Sequence, residues 1–187
     1  MKYAMGLSAT LVVSAGMLVA QWLNAPVEIP AVGKAFGESD LIRMRNDEKE
    51  HERVVRSIQD AQRILSAFNC GKDVAVWTAG SAQRYSLSAR LVAATIVAES
   101  SCQPTVVSKD GAIGLMQVDR HTWKQYTRAE LMQPDRNVDI GTHILAANIR
   151  RTGSTREGLR QYFGVTPGSN QADLYADKIL GLAARRN

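Results

Sequence analysis

The feature that most constrains this chain is the stretch "SLSARLVAATIVAESS", residues 86–101. Leu91, Val92, Ala93, Ala94, Ile96, Val97 and Ala98 leave no polar face if the segment is helical. A helix that is apolar all round must be buried, so others have to surround it. The flanking sequence supplies helical patterns. "DVAVWTAGSAQRY" (73–85) reads as a helix broken near Gly80, and Ser86 is a candidate N-cap for the central helix. "NVDIGTHILAANIRRTG" reads as a helix ended by Gly153, "TREGLRQYFG" as one ended by Gly164, and "NQADLYADKILGLAARRN" as the last. "PTVVSKDG" (104–111) is the one candidate for a short strand. The expected fold is therefore mostly α.

Near the end of the buried helix stands a single carboxylate, Glu99. Val92, Thr95 and Ile96 lie seven, four and three residues before it and share its face. The helix dipole disfavours negative charge at this end, and burial disfavours it anywhere. Both favour the neutral acid at neutral pH, which suits a general acid. The alternative is a Glu that turns into solvent as the helix ends. Downstream, "DGAIGLMQ" places Gly111 and Gly114 where backbone passes close to a neighbour or adopts positive φ, and Gln117 adds an amide that donates and accepts. Together these fit a groove for a hydroxyl-rich polymer.

The N-terminus points to export. Residues 4–23, "AMGLSATLVVSAGMLVAQWL", are uncharged and long enough to span a bilayer as a helix. Lys2 precedes the run and no Lys or Arg follows until Lys34, which orients the remainder outward. Two readings remain, a retained anchor and a cleaved signal peptide. Residues 24–37, with two prolines and two glycines, read as a linker. Residues 38–69 read as a long charged helix, with Val54, Ile58, Ala61, Leu65 and Phe68 on one seam. That seam is too short for a coiled coil, so the helix packs on the following domain or forms a stalk. Residues 70–187 form the remaining domain. Cys70 and Cys102 are either a disulfide, which an oxidising compartment favours, or two small buried hydrophobes.

Charge narrows the partners. Residues 70–187 carry 15 Lys/Arg against 10 Asp/Glu, whereas residues 38–69 carry 6 against 7. A basic domain suits an anionic polymer or surface. Nucleic acid is disfavoured by the export signal and by the lack of a basic cluster or single-strand binding motif. His51, His121 and His143 show no metal-ligand spacing, and neither a Gly-x-Ser-x-Gly elbow nor a phosphate loop occurs. No metal or cofactor is expected.

These residues carry a resemblance. "AESSCQP" followed by "VSKDGAIGLMQV" resembles the Glu-Ser and Gly-Leu-Met-Gln motifs of the soluble-type (SLT) lytic transglycosylases, which have a lysozyme-like fold. "LMQPDRNVDIGTHIL" resembles the family's Pro, Asn and Gly segment, giving Asn137 and Gly141; "LRQYFG" stands where the family has Ala-Tyr-Asn-x-Gly, and "YADKIL" resembles its closing tyrosine-containing helix. The resemblance spans about residues 72–183. It implies Glu99 as catalytic acid/base and Ser100 as its support. It implies Ser108, Gln117 and Asn137 as substrate-binding positions and Tyr162 as the tyrosine near the acid. One departure is Phe163, where the family has Asn.

The implied reaction cuts the β-1,4 bond between N-acetylmuramic acid and N-acetylglucosamine in peptidoglycan. Glu99 protonates the leaving oxygen and then takes the proton of the C6 hydroxyl, leaving a 1,6-anhydromuramoyl end. The runner-up is a hydrolase similar to goose-type lysozymes, in which Asp110 or Asp119 activates water. An inverting hydrolase needs that second carboxylate about 6.5–9.5 Å from the acid. A wall-binding scaffold without activity is the third reading. The expected setting is the bacterial inner membrane, held through residues 4–23, with the domain in the periplasm. Secretion, conjugation or phage assemblies are the partners that a tethered enzyme of this size suggests.

Overall fold

The computed structural model describes residues 38–164 and 170–185. The sequence readings for residues 4–23 and 24–37 lie outside the described residues. The chain divides into two compact units, residues 1–46 and 47–187. The described part of the first, residues 38–46, is helical throughout.

The helix α1, Glu38–Leu65, contributes its later turns to the second unit. Ala61, Ile64 and Leu65 are buried in the core, and Asp60 pairs with Arg90 at 3.8 Å. Val54 and Ile58 are half-buried on the same seam, while Phe68, in the 3-10 turn Ser66–Phe68, stays exposed. The seam is thus a packing face, and its apolar spacing ends in the core. Among the described residues no helix is long and apolar enough to cross a membrane.

Among the described residues, six further helices build the unit: α2 (Lys72–Arg84), α3 (Ala89–Ser100), α4 (Arg128–Leu131), α5 (Pro134–Thr152), α6 (Thr155–Phe163) and α7 (Gln171–Ala184). The apolar helix α3 lies against α2 and α7, as its all-round hydrophobicity requires. Its alanines let these neighbours approach, and Val92 and Ile96 have no solvent contact. Burying a side chain of that size is worth about 1.5–3 kcal/mol. In turn, α5 packs against α2, α4 and α6, and α6 packs against α7.

Two local expectations are corrected. Helix α2 runs through Gly80 unbroken, since that position is exposed and one glycine weakens a helix by only about 1 kcal/mol. Ser86 is not an N-cap. It has φ +58° and closes the end of α2, its N–H donating to Gln83 O, and α3 starts after Ser88. The third helix also begins earlier than its apolar pattern suggested. Pro134 opens α5 at a position where its missing N–H has no helical partner to lose. Gly153 (φ +69°) and Gly164 (φ +96°) stop α5 and α6 as read.

A small hairpin follows α3. Strands β1 (Ala112–Ile113) and β2 (Val118–Asp119) pair antiparallel, with Ala112 opposite Asp119. Of the expected strand at 104–111 only Val107 joins, through a bridge to Ile113. Cys70 and Cys102 form a disulfide that ties the start of α2 to the loop after α3, with Cα atoms 5.3 Å apart.

Candidate active site

Glu99 lies in the last turn of α3, one residue before its end. Its carboxyl is raised from an ordinary value of 4.5 to about 7. Burial is the main cause; a hydrogen bond from Tyr175 and the charge of Lys178 act in the opposite direction. Tyr175 Oη donates to Glu99 Oε1. Tyr175 and Lys178 stand three residues apart on α7, so one helix face brings both to the acid. The Tyr175 phenol is itself pushed far up, first by burial and then by the negative charge of Glu99. Tyr175 is therefore a fixed donor, not a proton source.

Tyr162, on α6, is the second phenol beside the acid. Burial and the charge of Glu99 both raise it. Its hydroxyl donates to Met116 O at 2.8 Å, linking α6 to the hairpin turn. Phe163 follows it on α6, half-exposed, with its ring centroid 4.9 Å from that of Tyr175. Tyr175 thus bonds to the carboxyl, and Phe163 packs on the ring of Tyr175. Tyr162, the tyrosine that the resemblance puts near the acid, feels the charge of Glu99, and the tyrosine that bonds to Glu99 is Tyr175. No local sequence signal marked it, because the contact joins residues 76 apart in the chain.

The turn between the strands is held from beneath. Asn137 is fully buried at the start of α5. Its Nδ2 donates to Ile113 O (2.8 Å) and Leu131 O (2.9 Å), and its Oδ1 accepts from Met116 N (2.8 Å). With both amide hydrogens engaged and no exposed surface, Asn137 braces the hairpin. It does not present an amide to a sugar, which corrects its assignment as a binding residue. Gly114 is required here on two counts: φ is +78°, and a Cβ would sit 2.4 Å from Asn137 Nδ2. Gly141 faces a similar limit, since a Cβ would meet Met116 Cβ at 2.5 Å.

The other sequence-read positions fall in two groups. Ser100 is buried and donates to Ile96 O (3.1 Å), so its hydroxyl caps its own helix. Ser108 and Gln117 belong to the hairpin region. Ser108 Oγ accepts from Ala112 N (3.0 Å), and Gln117 Nε2 donates to Gly114 O (2.9 Å) and Val106 O (3.3 Å). Both are half-buried, and Gln117 has φ +45°. What Gln117 can offer a ligand is its acceptor oxygen.

Asp110 is exposed near the hairpin. Asp119 ends β2, and both of its oxygens are engaged in the next turn. Oδ1 accepts from His121 N (2.8 Å), and Oδ2 accepts from Thr122 N (3.2 Å) and Thr122 Oγ1 (2.5 Å). The Thr122 hydroxyl and these amides hold the Asp119 carboxyl below its usual range.

A groove of about 530 Å³ is lined among others by Trp123, Asn148, Arg151, Gln161, Tyr162 and Phe163. Aromatic faces interleaved with amides are a lining suited to sugar rings.

Residues 77–165 match the Transglycosylase SLT domain family. Over this segment the chain is similar to SLT transglycosylase domains. The segment contains Glu99, the hairpin, Asn137 and the two aromatic residues of α6. Tyr175 and Lys178 lie beyond the matched residues. Named relatives agree. The chain is 39% identical over 95 residues to the "Transglycosylase" of Enterobacteria phage PRD1, covering 51% of this chain and 34% of that one. It is 42% identical over 73 residues to the "Endo-type membrane-bound lytic murein transglycosylase A" of Cronobacter sakazakii, covering 33% and 36%. It is 37% identical over 75 residues to the "Membrane-bound lytic murein transglycosylase C" of Edwardsiella ictaluri, covering 34% and 21%. The chain thus spans about a third or less of the length of these three relatives.

Proposed function

We propose that this chain is a peptidoglycan lytic transglycosylase in which Glu99 alone acts as acid and base. The observation that carries the reading is the Glu99 carboxyl, raised to about 7 and held by Tyr175. Such a group is part protonated and part ionised near neutral pH, so it can give a proton and take one back.

In the first step the Glu99 proton passes to the glycosidic oxygen as the bond from muramic C1 to that oxygen breaks. Positive charge builds at C1, and the ionised carboxylate beside it opposes that charge. In the second step Glu99 takes the proton of the C6 hydroxyl as O6 bonds to C1. The products are a free N-acetylglucosamine hydroxyl and a 1,6-anhydro ring, and Glu99 is protonated again. No water enters. Ser108 and the Gln117 oxygen are assigned to sugar contacts on the hairpin side, and Tyr162 and Phe163 to the opposite wall.

The hydrolase alternative needs a carboxylate free to activate water. Asp119 is poorly suited to it, because its oxygens are held by His121 and Thr122 and its basicity is reduced. The apolar run at residues 4–23 and the membrane-bound names of two relatives support a tethered enzyme facing the wall. The phage relative supports a role in opening the wall locally for a phage, secretion or conjugation assembly.

The test is Glu99→Gln, assayed by digestion of purified wall material. The amide keeps the shape but has no proton to deliver, and the expected loss is about 10²–10⁴-fold or more. A folded variant that digests at near the wild-type rate contradicts the assignment.

A further inference from the structure

The last helix carries a stripe that the cleavage chemistry does not use. Gly181, Leu182 and Arg185 lie three, four and seven residues after Lys178, so the four share one face at the end of α7. That face borders a groove of about 440 Å³ between α7, the last turn of α3 and the 3-10 turn Ser66–Phe68. Phe68, Val97 and Leu182 make the groove apolar, and Phe68 is 37% exposed. Gly181 keeps it open, since a Cβ at that position would meet no atom within 4 Å.

The rim is cationic. Lys178 and Arg185 pair with no carboxylate among the described residues. Asp177, a carboxylate of the same groove, is taken by Arg156. An apolar floor between two unpaired cations complements an apolar group flanked by two anions. Seven helical residues set the two cations about 10 Å apart. One phosphate or sulfate headgroup is too small to reach both, whereas a peptide carries side chains at such spacings.

We propose that this groove docks a peptide segment of a partner protein in which two acidic side chains flank an aliphatic or aromatic one. The acids face Lys178 and Arg185, and the apolar side chain enters beside Phe68 and over Gly181. Docking there reaches the active site. The groups that act on Glu99 are the Tyr175 hydroxyl and the charge of Lys178, both from α7, and Tyr162 on α6 feels the charge of Glu99 in turn. Lys178 favours the ionised acid, and a carboxylate set on Lys178 cancels that influence. Filling the groove therefore moves the alkaline limb of cleavage to higher pH. That consequence rests on the Glu99 reading, and the docking does not.

The test pans a random peptide library displayed on phage against the full chain in detergent micelles. The expected selection pairs Asp or Glu with Leu, Ile, Phe or Trp. A synthetic copy of the strongest peptide should bind the wild type and lose about tenfold or more in affinity to Gly181→Leu and to Arg185→Glu. Leucine at position 181 fills the groove without a clash and favours the helix, so Gly181→Leu should cleave wall material at the wild-type rate without peptide. No selected peptide, selected peptides without acidic residues, or binding unchanged in Gly181→Leu overturns the docking site and leaves the proposed cleavage standing. Uptake of an anionic lipid from mixed micelles that Gly181→Leu blocks, with no peptide selected, overturns the peptide as occupant. A pH–rate profile that the bound peptide does not move overturns the link to Glu99.

Discussion

Replacing Glu99 with Gln is expected to stabilise the folded chain at neutral and higher pH while abolishing activity. Glu99 titrates near 7 in the fold against an ordinary 4.5. Between those values the folded chain keeps a proton that the unfolded chain releases. Wild-type stability therefore falls as pH rises from about 4.5 to about 7, and is flat outside that window for this group. That difference, at about 1.36 kcal/mol for each tenfold change in proton affinity, is worth about 3 kcal/mol. Glu99 keeps partial solvent contact, so this is an upper value. Glutamine is neutral at every pH, has nearly the same shape, and its oxygen accepts from Tyr175 as the carboxyl does. Urea unfolding of both proteins at about pH 4 and about pH 8 gives the comparison. The gain from Glu99→Gln should be greater at the higher pH by up to about 3 kcal/mol. A difference that does not vary with pH, or one that favours the wild type at the higher pH, refutes the argument that burial holds a neutral acid here.

Two further outcomes follow from the same geometry. Tyr175→Phe removes the hydrogen bond that lowers Glu99, so the alkaline limb of the pH–rate profile should move to higher pH; a limb that stays put or moves down counts against Tyr175 as the group that tunes the acid. Asp119→Asn should keep activity and lose about 1 kcal/mol of stability, because the single asparagine oxygen can replace only one of the two carboxylate oxygens that accept from the His121–Thr122 turn; a large rate loss in the folded variant would identify Asp119 as a base.

Much of this site was legible because burial is written in composition. Leu91 to Ala98 offer no polar face, so the helix had to be central and Glu99 had to lie at its edge. The contact that holds the acid was not legible, since Tyr175 lies 76 residues away in sequence. Helical periodicity says which residues share a face but not which distant face opposes it. Asn137 shows the opposite failure. An asparagine beside Pro134 and Asp135 reads as a surface residue, yet it is sealed under the hairpin because Met116, Ile113 and Leu131 leave backbone groups that only a buried amide can satisfy. Ser86 and Gly80 misled for a local reason. Propensity marks where a helix can end, and packing of α2 against α5 decided where it does.

The central claim is that one carboxyl carries both proton transfers and that no water enters. Mass spectrometry of the muropeptides released from purified peptidoglycan by the wild-type chain tests it most directly. The account predicts 1,6-anhydromuramic ends. Reducing muramic ends, heavier by one water, would contradict it and require a second group to activate that water.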